Sequence, residues 1–266
     1  MVKNIIKESF LKPFREYKTF IFVIGLAVIC DVISHEFYSL HIGRWSLPLM
    51  IATSLVILMI VGIMLSHVNR TVYKTDVEYF NVKDNVMEGL KEYIINLYYV
   101  VLSSLLSLLF TIPTGVYTKL THIQDYVLSN DISTTFLTLH ELSESIPINL
   151  QVDLVHSLQI NLIFGMLMAI TLISFGFIGR IILIKTGSLK EALNLRNVYN
   201  IIKEIGYMRY IQFILASSVI IIVMFNILIS LKFFLSDILI SAIFEAFILI
   251  FATNGFYLIV SKRNSD

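Results

Sequence analysis

Of the 266 residues, 57% are hydrophobic and only 15% are charged, and the mean hydropathy is +0.82. A water-soluble domain could not hide that much apolar surface, so lipid must form part of this chain's solvent. A formal net charge of +1 gives no electrostatic footprint for nucleic acid, and the single cysteine, Cys30, excludes an intramolecular disulfide framework and a cysteine metal cluster.

The chain opens with Lys3, Lys7, Lys12, Arg15 and Lys18 before an apolar run, which has the outline of a signal peptide. That run ends in Asp31, His35 and Glu36 without a small-residue cleavage pattern, so it reads as a retained first helix. Crossing a hydrocarbon core takes about 20 apolar residues, and backbone groups in lipid must be bonded internally. Six runs meet the requirement, at 19–37, 47–66, 94–116, 158–184, 211–231 and 238–260, with one long outer loop at 118–157. The expected fold is all-α: a single polytopic membrane domain over 1–266 with six transmembrane helices. The fourth run is long enough to tilt or to continue into water.

Lys and Arg flanking the spans mark the cytoplasmic side. With the amino terminus inside, the outer segments hold only Arg44, Lys119 and Lys232, and every other basic residue, Arg180 included, falls inside. Both termini are therefore expected in the cytoplasm of a cell-membrane protein.

The inner segments share a design. Thr75 and Glu78, and again Ser188 and Glu191, have capping-box spacing, so a helix should start after each. Apolar residues then recur at helical spacing: Tyr79, Val82, Val86, Met87, Leu90 and Tyr93 in one segment, and Leu189, Ala192, Leu193, Leu195, Val198, Tyr199, Ile202 and Ile205 in the other. These are expected to be amphipathic interfacial helices that bend into the third span near 90–93 and into the fifth near Gly206. The amino terminus repeats the theme with Ile5, Ile6, Ser9, Phe10 and Phe14, and Pro13 is expected at its joint. The pattern predicts three repeated units, each an interfacial helix followed by a two-span hairpin, all running in the same direction.

The Ser9-Phe10-Leu11-Lys12-Pro13-Phe14 entry, the Glu88-Gly89-Leu90-Lys91 segment and the stretch from Leu189, Glu191 and Ala192 to Ile201-Ile202-Lys203-Glu204-Ile205-Gly206 resemble the domain-of-unknown-function family numbered 4013. The resemblance extends over nearly the whole chain. The family shows Tyr where this chain has Lys12, and its acidic, proline-bearing stretch after the second span is here only 75–83. That family comprises multi-pass membrane proteins common in methanogenic archaea. It has no established activity, so the resemblance implies topology and membrane location and carries over no catalytic residue.

Polar side chains inside spans are costly and mark sites or helix contacts. Glu245, Asn226 and Asn254 are the intramembrane candidates. Counted from the last hairpin, Glu245 and Asn226 fall at similar depth on adjacent helices, and a hydrogen bond between them would either glue the two helices or form a proton or cation site. Asp31 and His35, at i and i+4, are a weak metal pair that His41, His122, His140 or His156 could complete. Ser103, Ser104 and Ser107, with Gly165, Gly176 and Gly179, are expected to let helices approach closely. Lys190, Arg196 and Lys203 form a basic surface for anionic head groups or a protein partner. Phosphate-cradling loops, a nucleophile elbow, HExxH and CxxC do not occur in the sequence, and no cofactor is implied.

Three functions fit these features. The first is a non-enzymatic scaffold, or a subunit binding lipid or a membrane or cytosolic protein. The second is a transporter, channel or permease component with its polar site near Glu245. The third is a membrane enzyme acting on lipid.

Overall fold

The computed structural model describes residues 1–39, 46–74, 81–130 and 145–262. The described residues are helical, without strands. The helices are α1 (Val2–Arg15), α2 (Tyr17–Ser39), α3 (Ser46–Tyr73), α4 (Val82–Phe110), α5 (Val116–Ser129), α6 (Ile148–Thr186), α7 (Leu189–Ala192), α8 (Leu195–Ile205), α9 (Tyr207–Ser230) and α10 (Asp237–Ser261). Six of them, α2, α3, α4, α6, α9 and α10, are long and apolar enough to cross a bilayer. The protein is an all-α membrane protein. At 39 residues α6 is about 58 Å long, nearly twice a hydrocarbon core of about 30 Å, so it continues beyond the bilayer. The expected outer loop begins as a helix, since α5 follows a turn at Gly115 whose φ of 66° suits glycine.

The chain forms two compact units, Met1–Leu97 with Ser174–Asp266, and Tyr98–Ile173. In the first, three helices meet along stripes with a four-residue step: Val23 and Ala27 on α2, Ile60, Met64, Val68 and Val72 on α3, and Ala242, Ala246 and Ile250 on α10. That step keeps a residue on one helical face each turn. A Cβ on Gly62 of α3 would run into the Asn85 carbonyl, and one on Gly89 of α4 into the Leu58 carbonyl, so α3 and α4 touch backbone to backbone there. Ser66 reinforces the crossing by donating to Asn85 Oδ1 at 3.3 Å. In the second unit, Phe110 stacks on Phe164 with centroids 3.7 Å apart, and Lys119 donates to Ser157.

Two of the three expected units share the predicted order, short helices that break before a two-span hairpin. The helix α1 buries Ile5, Ser9 and Pro13 and ends at Glu16, and α2 starts at Tyr17. Pro13 lies inside α1, so the break falls three residues later than expected. In the third copy the Ser188 side chain accepts from the Glu191 N–H, as its box predicts, but α7 is a single turn. Asn194 then caps α8 by accepting from the Arg196 N–H. Gly206, at φ 92°, makes the corner before Tyr207, a backbone state that other residues adopt only under strain.

The middle copy differs. The Thr75–Glu78 box lies outside the described residues, and α4 runs as one unbroken helix from Val82 to Phe110, with no helix end at 90–93. Its expected apolar stripe faces outward, with Val82, Met87, Leu90 and Tyr93 exposed, and the face it buries carries Asn85, Gly89 and Glu92. An outward-facing stripe agrees with the expectation that this face rests in lipid. Where the solvent is apolar, burial gives apolar residues no advantage, and helices pack through small and polar ones.

Candidate functional site

The strongest constellation is one that span counting obscures. Arg180 lies six residues before the end of α6, roughly 9 Å along the helix, with its side chain only 4% exposed. Its Nε lies 3.3 Å from Glu92 Oε2 on α4, and its Nη1 donates to Thr253 Oγ1 on α10 at 3.2 Å. Nη2 is buried without a partner. Tyr73 of α3 stands within electrostatic range of Arg180 and Glu92, and its ring meets Tyr257 of α10 edge-on at 4.8 Å. A buried ion pair gains little net stability because both ions are desolvated, but once formed neither partner can leave cheaply. The pair locks α4, α6 and α10 at one point. Arg180 is therefore not a flanking topological charge, the role its position near a span end suggested.

The second constellation lies nearer the opposite membrane face. Glu245 is exposed, eight residues into α10, and accepts a hydrogen bond from Ser241 at 3.4 Å. The expected bond to Asn226 does not form. Asn226 Nδ2 donates to the Ile222 carbonyl of its own helix at 2.8 Å, while Glu245 interacts electrostatically with Asp31 on α2. Rotation about the helix axis explains the missing bond: Phe244 faces α9 through Phe225, and Glu245 follows one residue later, about 100° round the helix. Asp31 Oδ2 is buried with no partner, and Cys30 feels both carboxyls. His35 is exposed one turn further on.

No group of three metal-ligating side chains occurs among the described residues. His41 and His140 lie outside those residues.

Ser241, Glu245, Leu249, Thr253 and Tyr257 follow one another at four-residue steps on α10, a row that winds about 40° round the helix per step and connects the two constellations. Leu249 separates them and packs against the apolar core of α2, α3 and α10.

No family model, curated protein or solved structure matches this chain. What the chain can do therefore rests on the geometry of its own residues.

Asn254 is buried and donates to Ser9 Oγ at 3.4 Å, which ties α10 to α1. Lys262 adds an ion pair to Glu8 at 3.1 Å. Gly255 makes room for the same contact, because a Cβ there would meet the Phe213 ring at 2.8 Å and Ser9 Oγ at 3.3 Å. Lys190, Arg196 and Lys203 are all exposed. The apolar face of α8, expected to rest in lipid, is instead buried within the protein: Val198 is 0% exposed, Ile202 4% and Ile205 1%. Sequence periodicity finds such a face but not what covers it.

Proposed function

We propose that this chain is a non-enzymatic membrane subunit of the cell membrane, both termini cytoplasmic, that gathers anionic head groups and a protein partner at its inner surface. The observation that carries this reading is the burial of the apolar faces of α1 and α8 in the fold, which holds their basic side chains outward as a fixed surface. With six crossings, the starts of the first and fifth spans share one membrane face, so α1 and α8 lie on the same side. Lys3, Lys7, Arg15 and Lys18 from the first, and Lys190, Arg196 and Lys203 around the second, are exposed there. The exposed acids Glu8, Glu191 and Glu204 offset only part of that charge. The Arg180–Glu92 pair and the Asn254–Ser9 bond, each joining two helices, favour polar groups used as helix glue over polar groups lining a path. The segments resembling the 4013 family agree with this membrane placement.

Basic residues near an anionic surface each add to lipid attraction, with salt screening part of it. Lys190→Gln, Arg196→Gln and Lys203→Gln together are expected to lower enrichment of phosphatidylglycerol over phosphatidylcholine by about tenfold in lipid co-purified at low salt. Equal enrichment in wild type and variant, at both low and high salt, would remove the reading.

A second reading, a transport component, draws on the paired Asp31 and Glu245 carboxyls within the spans. It requires proton or cation flux in liposomes that Glu245→Gln abolishes. Leu249, seated in apolar packing between the two polar clusters, makes no flux the expected result.

A further inference from the structure

A groove of about 620 Å³ runs within the second unit between the outer halves of α4 and α6. Its polar lining is Ser103, Ser104 and Ser107 on α4, Thr111 in the turn that follows, and Asn161 on α6; Leu108, Leu162 and Met166 supply apolar walls. Several hydroxyls elsewhere in the spans fold back onto their own helix: Thr71 donates to the His67 carbonyl, Thr171 to Leu167 and Ser230 to Asn226, while Ser217 Oγ on α9 is a single buried group without a partner, outside this groove. Ser103 and Ser107 make no such bond among the described residues, although Ser103 is only 7% exposed. Asn161 Oδ1 is likewise buried without a partner. Unbonded polar groups in hydrocarbon are costly, so three of them opening on one cavity point to an absent hydrogen-bonding occupant.

We infer that this groove binds one uncharged lipid, a long apolar tail carrying hydroxyl and carbonyl oxygens, through Ser103, Ser107 and Asn161. The length and the lining of the groove select the occupant. From Leu158 to Ala169 the α6 wall is about 17 Å long, the scale of a lipid tail and not of a compact solute. No charged side chain lines the groove, which disfavours an ionic head group. Gly165 sets the width, because a Cβ there would lie 3.3 Å from Ser107 Oγ.

The test uses the full chain in phosphatidylcholine nanodiscs with either of two photoreactive probes, a diacylglycerol or a phosphatidylglycerol bearing the same tail diazirine. The diacylglycerol is expected to label 158–169 saturably and to be displaced by unlabelled diacylglycerol in wild type, which needs no variant. Ser103→Val with Ser107→Val should weaken that competition by about tenfold, the loss expected for two neutral hydrogen bonds, and Gly165→Leu should abolish saturable labelling. Labelling that is non-saturable, or equal for the two probes, would identify ordinary annular lipid and overturn the inference. Cross-links through the groove to a second copy of the chain would overturn it too, by showing a helix as the occupant.

Discussion

Arg180→Met is expected to destabilise the protein by about 3–5 kcal/mol, because it strands the Glu92 carboxylate in a site with little water. Glu92→Gln should act in the same direction by leaving the guanidinium short of its counter-charge. The double variant should recover most of the loss, since a buried pair replaced as a unit removes both desolvation costs together. Unfolding in mixed micelles, followed by loss of helical signal with rising SDS, gives the four corners of the cycle. Additive losses would show that the two side chains act separately, and unchanged single variants would show that the pair is not buried. Thr253→Val removes one neutral acceptor from the same guanidinium and should cost less, near 1 kcal/mol.

The second large effect is expected where α3 crosses α4. Gly62→Ala and Gly89→Ala each place a methyl group against a backbone carbonyl, which has no rotamer by which to move aside. Overpacking of this kind costs about 1–3 kcal/mol per site, and here relief requires the helices to separate, which also strains the Ser66–Asn85 bond. Gly25→Ala is the control: a Cβ at Gly25 meets nothing within 4 Å, so that variant should keep or gain stability. The same SDS titration distinguishes them, and equal stability of all three variants would contradict the close crossing.

The order and number of spans could be read from apolar run length because lipid imposes a length and an internally bonded backbone on every crossing. The entries at Tyr17 and Tyr207 were also legible, through a short amphipathic pattern followed by an apolar run. Partners across helices were not. Glu92 and Arg180 are 88 positions apart, and each has a local explanation that needs no partner, one as an interfacial acid and the other as a flanking base. Gly62 and Gly89 match each other between helices and form no spacing motif within either. The outward stripe of α4 was legible, since Val82, Met87, Leu90 and Tyr93 are exposed as a lipid-facing row must be, whereas the same reading failed for α8, whose apolar face the protein itself covers. Asn226 shows the remaining gap, since sequence fixes depth along a hairpin more firmly than rotation about each helix axis.

The proposed topology has six membrane crossings, with α8 and both termini on the cytoplasmic side and α5 on the outer side. In a Cys30→Ser background, Lys203→Cys and Asp125→Cys place single thiols on α8 and α5, which a membrane-impermeant maleimide can label in intact cells and again after lysis. The account predicts labelling at position 125 in intact cells and at position 203 only after lysis. Labelling of position 203 from outside, or protection of position 125 until lysis, would contradict it.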